Sequence, residues 1–304
     1  MEKRDLVSLA RDIEHRLQAI YEDKTLCNQY AWWMIEAITG KKRSELLANK
    51  EFNFTIKQIH TLENWLTKQI EDKEPLQYLL GSVPFDDLEV LVKSPVLIPR
   101  PETEELCYKI IEYLKNLENK KLTLLDIGTG SGCIALTLAK ALPESTVYGT
   151  DISDEALALA KKNANHNGIN NVTFIKSDVY AQLDESVKFD LIVSNPPYIT
   201  KDEWLDLDES VTRWEDEKAL VADHEGLAII KKIIAGAPNF IKKNPELTEK
   251  KIPQLIIEIG YKQGPSVVKL FEKAGFVDIV VCKDLENKDR FVKGRIDDVA
   301  KEKK

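Results

Sequence analysis

The sequence predicts an α/β protein in which a doubly wound, Rossmann-like sheet follows a small all-helical domain. Two observations predict this fold. From Lys121 onward, short apolar runs of strand length alternate with segments of helical periodicity. Before about residue 74, apolar residues recur at the three- and four-residue spacing of helices. The alternation implies a mostly parallel sheet with helices on both faces.

The composition narrows the class of protein. The chain has 304 residues, 43% of them hydrophobic, enough for two domains with cores of their own. Lys and Arg total 43 against 51 Asp and Glu, and the net charge of −8 disfavours tight, nonspecific binding of nucleic acid. The four cysteines form no CxxC pair, which predicts a reduced, cytoplasmic protein without a metal site. We expect neither a signal peptide nor a membrane span.

Residues 1–74 are predicted to form the helical domain. Apolar residues from Leu6 to Ile20 share one helix face, and those from Ile56 to Ile70 form a second stripe. Two shorter helices, separated by Gly40, are predicted between them. The Trp32-Trp33 pair fits the core of a small bundle better than it fits a partner-binding surface.

Residues 75–105 are predicted to be a linker with its own structure. Residues 85–92 have the pattern of a β-hairpin that turns near Asp86-Asp87. Pro99-Arg100-Pro101 is extended because proline restricts the residue before it, and a helix begins near Thr103. The linker either closes over a neighbouring site or only connects the two domains, and the residues alone leave both interpretations open.

Residues 106–300 are predicted to hold the α/β domain. Its predicted elements are strand 122–127, helix 134–141, strand 146–151, helix 156–165, strands 172–175 and 189–194, helix 227–241, strand 254–259, helix 266–274, and strands 277–282 and 290–293. The polar segment 242–251 is predicted to be a mobile surface loop, because it offers little apolar surface to bury.

Ser194-Asn195-Pro196-Pro197-Tyr198 lies at the carboxyl end of the predicted strand 189–194, where open α/β sheets bind ligands. Both prolines end the strand, because neither has a backbone N–H. Asn195 and the Pro196 carbonyl are able to accept the two hydrogens of a planar –NH2 group, and Tyr198 is able to stack on it. A nitrogen held in this way directs its lone pair toward an electrophile. The other interpretation is a turn that only ends the strand.

Acidic residues mark the ends of the three preceding strands. Asp126 begins the glycine-rich turn 128–132, where glycine lets a ligand approach the backbone closely. Asp151 ends the second strand, at about the distance in sequence from the glycine-rich turn at which dinucleotide sites place their ribose-binding acid. Asp178 follows the third strand. With Asn195, these acids are predicted to face one crevice that binds a nucleoside cofactor. Each acid is also able to serve only as a helix cap or a loop-stabilising group.

Two cofactors compete for this crevice. A nicotinamide dinucleotide favours the spacing GxGxxG, whereas the glycines here are spaced GxGxG. The Asp126 carboxylate repels a pyrophosphate, but it suits the partly cationic amino-acid end and the sulfonium of S-adenosylmethionine. Asp151 is then predicted to bind both ribose hydroxyls, and Asp178 or the backbone after it to bind the adenine amino group. The sequence therefore favours S-adenosyl-L-methionine.

Taken in order, these motifs resemble the bacterial peptide chain release factor glutamine N5-methyltransferases. The resemblance is carried by Glu74-Pro75 to Gly81, by Leu97 to Glu104, by the glycine-rich turn and by Asn195 to Tyr198. The Asn-Pro-Pro-Tyr motif is shared with base-modifying enzymes, so the Ile-Pro-Arg-Pro-Glu-Thr-Glu stretch is the specific part. The resemblance implies a seven-stranded S-adenosylmethionine-dependent methyltransferase fold behind the helical domain.

The resemblance also implies an activity and its residues. The implied substrate is the side-chain amide of the glutamine in the Gly-Gly-Gln motif of release factors. Because a methylated, protonated amide is a strong acid that loses its proton to water, we name no catalytic base. Implied cofactor contacts are Gly128, Thr129, Gly130, Ser131, Gly132, Asp151 and Val179, beside Asp126, Asp178 and Asn195. Implied substrate contacts are Asn195, Pro196, Pro197 and Tyr198, of which Asn195, Pro196 and Tyr198 are the catalytic candidates. We expect a monomer in which residues 1–74 dock the release factor.

Three loops depart from the family pattern, at Trp214 to Leu220, Ala222 to Gly226 and 242–251. We expect them to affect the rim of the site and stability more than chemistry. Two other functions stay open. N6-methylation of adenine in RNA or DNA uses the same chemistry, but the net negative charge disfavours it. A non-catalytic adapter of translation factors is disfavoured by the intact acids and amide of the crevice.

Overall fold

A computed structural model describes residues 2–49 and 51–296. The chain divides into two compact units. The first extends to Gly81 and includes Asp208–Trp214, and the second contains Ser82–Leu207 and the chain from Glu215 onward. The segment 297–300 of the predicted α/β domain lies outside the described residues. The predicted boundaries at residues 74 and 105 stay predictions.

The elements up to residue 81 are β1 (Glu2–Asp5), α1 (Leu6–Leu17), α2 (Lys24–Thr39), α3 (Arg43–Asn49), β2 (Glu51–Phe54), α4 (Ile56–Thr67), a π-helical turn (Lys68–Asp72) and α5 (Leu76–Leu80). They are followed by β3 (Ser82–Phe85), β4 (Leu88–Leu91), α6 (Pro101–Leu114), β5 (Thr123–Ile127), α7 (Cys133–Ala141), β6 (Thr146–Asp151), α8 (Asp154–His166), β7 (Val172–Lys176) and β8 (Leu191–Ser194). The remaining elements are α9 (Lys201–Leu205), α10 (Glu209–Thr212), α11 (Glu217–Leu220), α12 (Asp223–Gly226), α13 (Ala228–Phe240), α14 (Pro245–Glu249), β9 (Leu255–Glu258), α15 (Gly264–Lys273), β10 (Phe276–Lys283) and β11 (Asp289–Ile296).

The first unit is a helical bundle whose helices begin and end at residues suited to those positions. The Asp23 carboxylate accepts hydrogen bonds from two backbone N–H groups at the start of α2, and Gly40 ends that helix with φ 67°. Thr55 and Gln58 form a capping box at the start of α4. The unit also contains a short antiparallel ribbon of β1 and β2, which the helical pattern of the sequence did not predict.

The second unit is built on a seven-stranded sheet in the order β10-β11-β9-β8-β5-β6-β7. Neighbours from β9 to β7 pair in parallel, and β11 pairs antiparallel with both β9 and β10. Connected strands run outward from β5 through β6 to β7, and the chain then returns to the other side of β5 as β8. The predicted doubly wound fold is confirmed, and its strand order reverses between β5 and β8.

Helices cover both faces of this sheet because its central strands are apolar on both sides. In β5, Leu124 packs into one buried cluster, while its neighbour Leu125 packs into the other. In β8, Val193 and Ile192 divide in the same way. This burial on both sides explains why the strands appear in the sequence as continuous apolar runs.

Two segments near the sheet show where local pattern succeeds and where it fails. The predicted hairpin is present as β3 and β4, with Asp86 at φ 49° in its turn. The prediction of a loop over 242–251 was wrong. Asn244 caps α14 there, and the Asn244 amide also donates to the buried Asp190 carboxylate at 2.8 Å. Leu247 is fully buried, so a single apolar residue anchors a segment whose composition is otherwise polar.

Candidate active site

The carboxyl ends of β5 and β8 lie side by side at the point where the strand order reverses. Ser194 Oγ donates a hydrogen bond to the Ile127 carbonyl oxygen at 2.7 Å and ties the two strand ends together. Gly128 and Asn195 follow directly, and a Cβ atom on Gly128 would lie 3.9 Å from the Asn195 carbonyl oxygen. The glycine-rich turn and the Asn-Pro-Pro-Tyr motif therefore share one crevice, at the position where doubly wound sheets bind ligands.

The glycine-rich turn is held close to β6. The backbone N–H groups of Gly128 and Thr129 both donate to the Thr150 carbonyl oxygen at 2.8 Å. Gly132 has φ 85°, and a Cβ atom there would lie 3.1 Å from Ala160 Cβ on α8. A positive φ and a close helix both require glycine at this position, so the turn that leads into α7 packs closely against α8.

Asp126 is completely buried beneath the turn. Its Oδ2 accepts a hydrogen bond from Thr129 Oγ1 at 2.6 Å, whereas its Oδ1 has no hydrogen-bond partner within the described chain. Burial raises the pKa of Asp126 to about 7. A carboxylate oxygen that is buried and unpaired is costly, and this cost falls when a cationic group binds beside it.

Asp151 ends β6 and contacts the same turn. One carboxylate oxygen accepts from Gly130 N–H and the other from Ser153 N–H, each at 2.9 Å. Each oxygen retains a lone pair for a ligand hydroxyl. Burial raises the pKa of this carboxyl as well.

Asp178 is placed differently from the other two acids. Its side chain is exposed and pairs with Lys232 at 3.4 Å, while the N–H of the preceding residue, Ser177, donates to the Asp151 carbonyl oxygen at 2.9 Å. Val179 is buried with φ 55°. The structure therefore brings the backbone before Asp178, and not the Asp178 carboxylate, to the end of β6.

The Asn195 side chain belongs to a chain of hydrogen bonds that the sequence analysis missed. Asn195 Nδ2 donates to Thr103 Oγ1 at 3.0 Å, and Thr103 Oγ1 donates to Glu258 Oε2 at 2.9 Å. Tyr198 Oη donates to the other carboxylate oxygen, Oε1, at 3.3 Å. We call Asn195, Thr103, Glu258 and Tyr198 the amide network. Within it, Thr103 is 2% exposed and Glu258 is 1% exposed, so its centre is dry.

Glu258 is the charged centre of the amide network. Burial raises its pKa to about 7, and Arg290 opposes this rise. The Arg290 guanidinium also pairs with Asp284 at 3.0 Å. One feature of the sequence could have identified Glu258. It is a carboxylate in the otherwise apolar strand Leu255–Glu258, and a carboxylate buried there requires hydrogen-bond or ionic partners.

The backbone after the motif is held by Gln263. Its Nε2 donates to the Tyr198 carbonyl oxygen at 2.9 Å and to the Glu225 carbonyl oxygen at 3.0 Å, while its Oε1 accepts from Gly260 N–H. A Cβ atom on Gly226 would collide with the Tyr198 carbonyl oxygen. The segment 222–226, which departs from the family pattern, therefore packs directly on the motif. It contains α12, although His224 and Glu225 within it have the non-helical φ values 57° and 60°.

The proline-rich stretch is held by another residue of a departing loop. The buried Glu215 carboxylate pairs with Arg100 at 2.5 Å and accepts from Ile98 N–H at 3.3 Å. These contacts fix the chain just before α6, the helix that carries Thr103. Through Thr103, the C-terminal end of residues 75–105 therefore lies beside Asn195.

Together, the doubly wound sheet, the glycine-rich turn and the Asn-Pro-Pro-Tyr motif at the switch point are typical of a Rossmann-like methyltransferase, and comparisons with known proteins agree. The Methyltransferase small domain family matches residues 110–211, and the PrmC N-terminal domain family matches residues 8–81. The chain belongs to the release factor glutamine methyltransferase family.

Two relatives support the assignment to this family. The release factor glutamine methyltransferase of Flavobacterium psychrophilum is 38% identical over 279 residues, which cover 91% of this chain and 94% of the relative. The enzyme of the same name from Lactococcus lactis is 44% identical over 229 residues, covering 75% and 79%. The hMettl16 catalytic domain, solved in complex with an MAT2A 3'UTR hairpin, superposes with TM-score 0.53 at 16% identity, over 82% of this chain and 84% of that one. This last likeness shows the fold alone.

The predicted family, fold and methyltransferase class are thus confirmed, while the roles of individual site residues stay predictions. No group of three or more His, Cys, Asp or Glu side chains in residues 2–49 and 51–296 is arranged to hold a metal ion. Over the same residues, no helix combines the length and apolar character that crossing a bilayer requires.

Proposed function

We propose that this enzyme methylates the side-chain amide nitrogen of a glutamine in peptide chain release factors, with S-adenosyl-L-methionine as the methyl donor. Membership of the release factor glutamine methyltransferase family supports the substrate class. The observation that carries the chemistry is the placement of Asn195 beside the glycine-rich turn, with its Nδ2 bonded to Thr103, so that Oδ1 is the end of the amide directed away from Thr103. An amide oxygen in that position is suited to accept a hydrogen from a planar –NH2 group.

The residues of the crevice fit the cofactor. The unpaired Oδ1 of Asp126 suits the cationic amino-acid end of S-adenosylmethionine, because a positive charge there satisfies a buried acceptor. Asp151 has lone pairs left for the two ribose hydroxyls. When bound, the cofactor supplies a methyl group activated by a positively charged sulfur. Because Asp178 pairs with Lys232, we assign the adenine contact to the backbone at Val179.

The protein has to position a poor nucleophile, since the lone pair of an amide nitrogen is delocalised into its carbonyl. Asn195 Oδ1 and the Pro196 carbonyl oxygen hold the two N–H groups, and Tyr198 covers the plane of the amide. Holding both hydrogens aligns the nitrogen toward the cofactor side of the crevice, an orientational effect that reaches about 7–11 kcal/mol in ideal systems. The methylated amide then loses its proton to water, so no side chain has to act as a base.

The substrate glutamine is that of the Gly-Gly-Gln motif, and the helical unit docks the rest of the release factor. In this assignment the first unit docks the release factor and the second unit binds the cofactor, because every residue assigned to the cofactor belongs to the second unit. We further propose a monomeric, cytoplasmic enzyme that does not bind nucleic acid directly.

The test is mass spectrometry of a purified bacterial release factor after incubation with this protein and S-adenosylmethionine. We expect one added methyl group, located on the glutamine of the Gly-Gly-Gln motif. A release factor with that glutamine replaced by alanine serves as the control and should gain none. Methylation of an RNA or DNA oligonucleotide instead, with the release factor unchanged, would support the adenine-methylating alternative and contradict the proposal.

A further inference from the structure

The two ends of the Asn195 side-chain amide differ chemically, and their orientation decides what this residue does for a substrate. The proposed function needs the oxygen to face the substrate –NH2 group. The nitrogen end would present hydrogens to a group that itself only donates, and the contact would be lost. The orientation of the Asn195 amide therefore has to be fixed from the side that faces the protein.

Thr103 faces the Asn195 amide on that side. Its Oγ1 lies 3.0 Å from Asn195 Nδ2 and 2.9 Å from Glu258 Oε2. A hydroxyl has one hydrogen, and here that hydrogen goes to the carboxylate. Only lone pairs then remain toward Asn195, so Thr103 selects the –NH2 end of the amide and leaves Oδ1 on the opposite side.

Glu258 sets the direction of these bonds. An ionised carboxylate only accepts hydrogen bonds, so both Thr103 and Tyr198 have to donate to it. Burial and Glu102 raise the pKa of Glu258 to about 7, whereas Arg290 lowers it. Above that pH the carboxylate is ionised, and the directions of all three bonds in the amide network are determined.

We propose that Thr103 and Glu258 are positioning residues, which hold the Asn195 amide with its oxygen toward the reacting nitrogen and the Tyr198 ring over it. The inference rests on the proposed function for the identity of that nitrogen, while the hydrogen-bond chain is a property of the protein alone. Thr103 acts only through Asn195, and Glu258 acts through Thr103 and Tyr198. Neither residue touches the substrate.

Thr103→Val is the main test, because valine keeps the shape and removes the hydroxyl. At about pH 8, where Glu258 is ionised, we expect kcat on release factor to fall about tenfold to a hundredfold, the range typical of lost outer partners in metal sites. The KM for release factor and the affinity for S-adenosylmethionine should change little. If Thr103 acts only through Asn195, Thr103→Val should have no further effect on kcat in an Asn195→Ala background. Additive losses would overturn the proposal.

Two matched variants distinguish the effect of losing the Thr103 hydroxyl from the effect of changed side-chain packing. Thr103→Ser keeps the hydroxyl and should retain kcat within about threefold of the unmodified enzyme. Thr137→Val makes the same substitution at a buried helix position whose hydroxyl has no hydrogen-bond partner within the described chain, and it should be as active as the unmodified enzyme. A kcat in Thr103→Ser as low as in Thr103→Val would overturn the proposal. Thr103→Ser carries this test alone if Thr103→Val does not fold.

A second readout does not depend on turnover. The side-chain NH2 signals of Asn195, assigned by their loss in Asn195→Ala, report the bond to Thr103 through their exchange with solvent in NMR spectra. We expect exchange at least about tenfold faster in Thr103→Val and unchanged exchange in Thr103→Ser. Equal exchange in all three proteins would overturn the proposal even if release factor is not the substrate. Failure of the unmodified enzyme to methylate release factor would instead contradict the proposed function.

Discussion

Asp126→Asn should make the ligand-free protein more stable while weakening cofactor binding. The carboxyl is fully buried, and its pKa is raised from an ordinary value of 3.8 to about 7. This rise corresponds to about 4 kcal/mol of stability lost when the group is ionised. Asparagine removes the charge and is able to turn its Nδ2 toward Thr129 Oγ1, which accepts one N–H group. The other N–H group is left without a partner, at a cost of about 1–3 kcal/mol. We therefore expect a net gain of about 1–3 kcal/mol at about pH 8.

The pH dependence distinguishes this explanation from a general packing effect. Because the pKa of Asp126 is higher in the folded state than in the unfolded state, its stability contribution is full below pH 3.8 and is lost as pH rises through 7. The advantage of Asp126→Asn should thus be largest at about pH 8. At about pH 5.5 the cost of the charge is only about half as large, so the net effect of the substitution should fall to between about −1 and +1 kcal/mol. Thermal unfolding without cofactor should show a midpoint raised by about 2–6 °C at the higher pH.

Asp190→Asn is the matched control, since Asp190 is also fully buried. Its two oxygens accept from Thr123 N–H and Asn244 Nδ2, each at 2.8 Å, so an amide there places a donor against a donor. We expect this variant to lose about 1–3 kcal/mol of folding stability at about pH 8.

Calorimetry on Asp126→Asn should show weaker binding of S-adenosylmethionine. An Asp126→Asn protein that unfolds at or below the unmodified midpoint at that pH would refute the reasoning.

Four further outcomes are expected. Asp151→Ala should weaken S-adenosylmethionine binding by about 2–3 kcal/mol in calorimetry, because two charge-assisted bonds to the ribose are lost; unchanged affinity would refute the ribose assignment. Asn195→Ala should lower the single-turnover rate by a factor of about 10²–10³ with little change in cofactor affinity. Equal rates in the variant and the unmodified enzyme would show that the motif only ends the strand. Gly226→Ala should lower both kcat and the unfolding midpoint, since its Cβ meets the Tyr198 carbonyl oxygen and φ is 73°. Ile56→Ser, at a 69% exposed position of the helical unit, should raise the KM for release factor without lowering kcat, if that unit docks the substrate.

The parts of the fold that depend on local pattern were predictable. The strand Thr146–Asp151 was predicted with the same bounds, because it lies between a proline-containing turn and a capped helix. The hairpin at Asp86-Asp87 and the crevice at the end of β8 followed from turn residues and from the rule that parallel strands end at one edge. In each case a short stretch of sequence contains the whole signal.

The parts that depend on distant partners were not predictable. The ribbon strand Glu2–Asp5 is a charged tetrapeptide without alternation, and it is a strand only because it pairs with β2. Helix Pro245–Glu249 is secured by one buried leucine and a cap. Thr103 and Glu258 are 155 residues apart in the chain, so their bond has no local signature. The local sequence indicates only that the Glu258 carboxylate, in an apolar strand, requires a partner; it does not indicate which residue that partner is.

Two buried carboxylates lie at the switch point, and both are destabilising in the folded protein. Burial raises the pKa of Asp126 and of Glu258 alike to about 7, so the stability cost of each charge grows as pH rises from the ordinary pKa and is complete above about pH 7. Their surroundings differ in a way that matches two tasks. Asp126 keeps one oxygen unpaired beside the glycine-rich turn, which agrees with its proposed contact to the cationic end of the cofactor. Glu258 uses both oxygens on Thr103 and Tyr198, which leaves it able to orient neighbours but not to bind a ligand. A cationic cofactor should therefore offset the first cost on binding, while the second persists in every state as the requirement for an oriented amide.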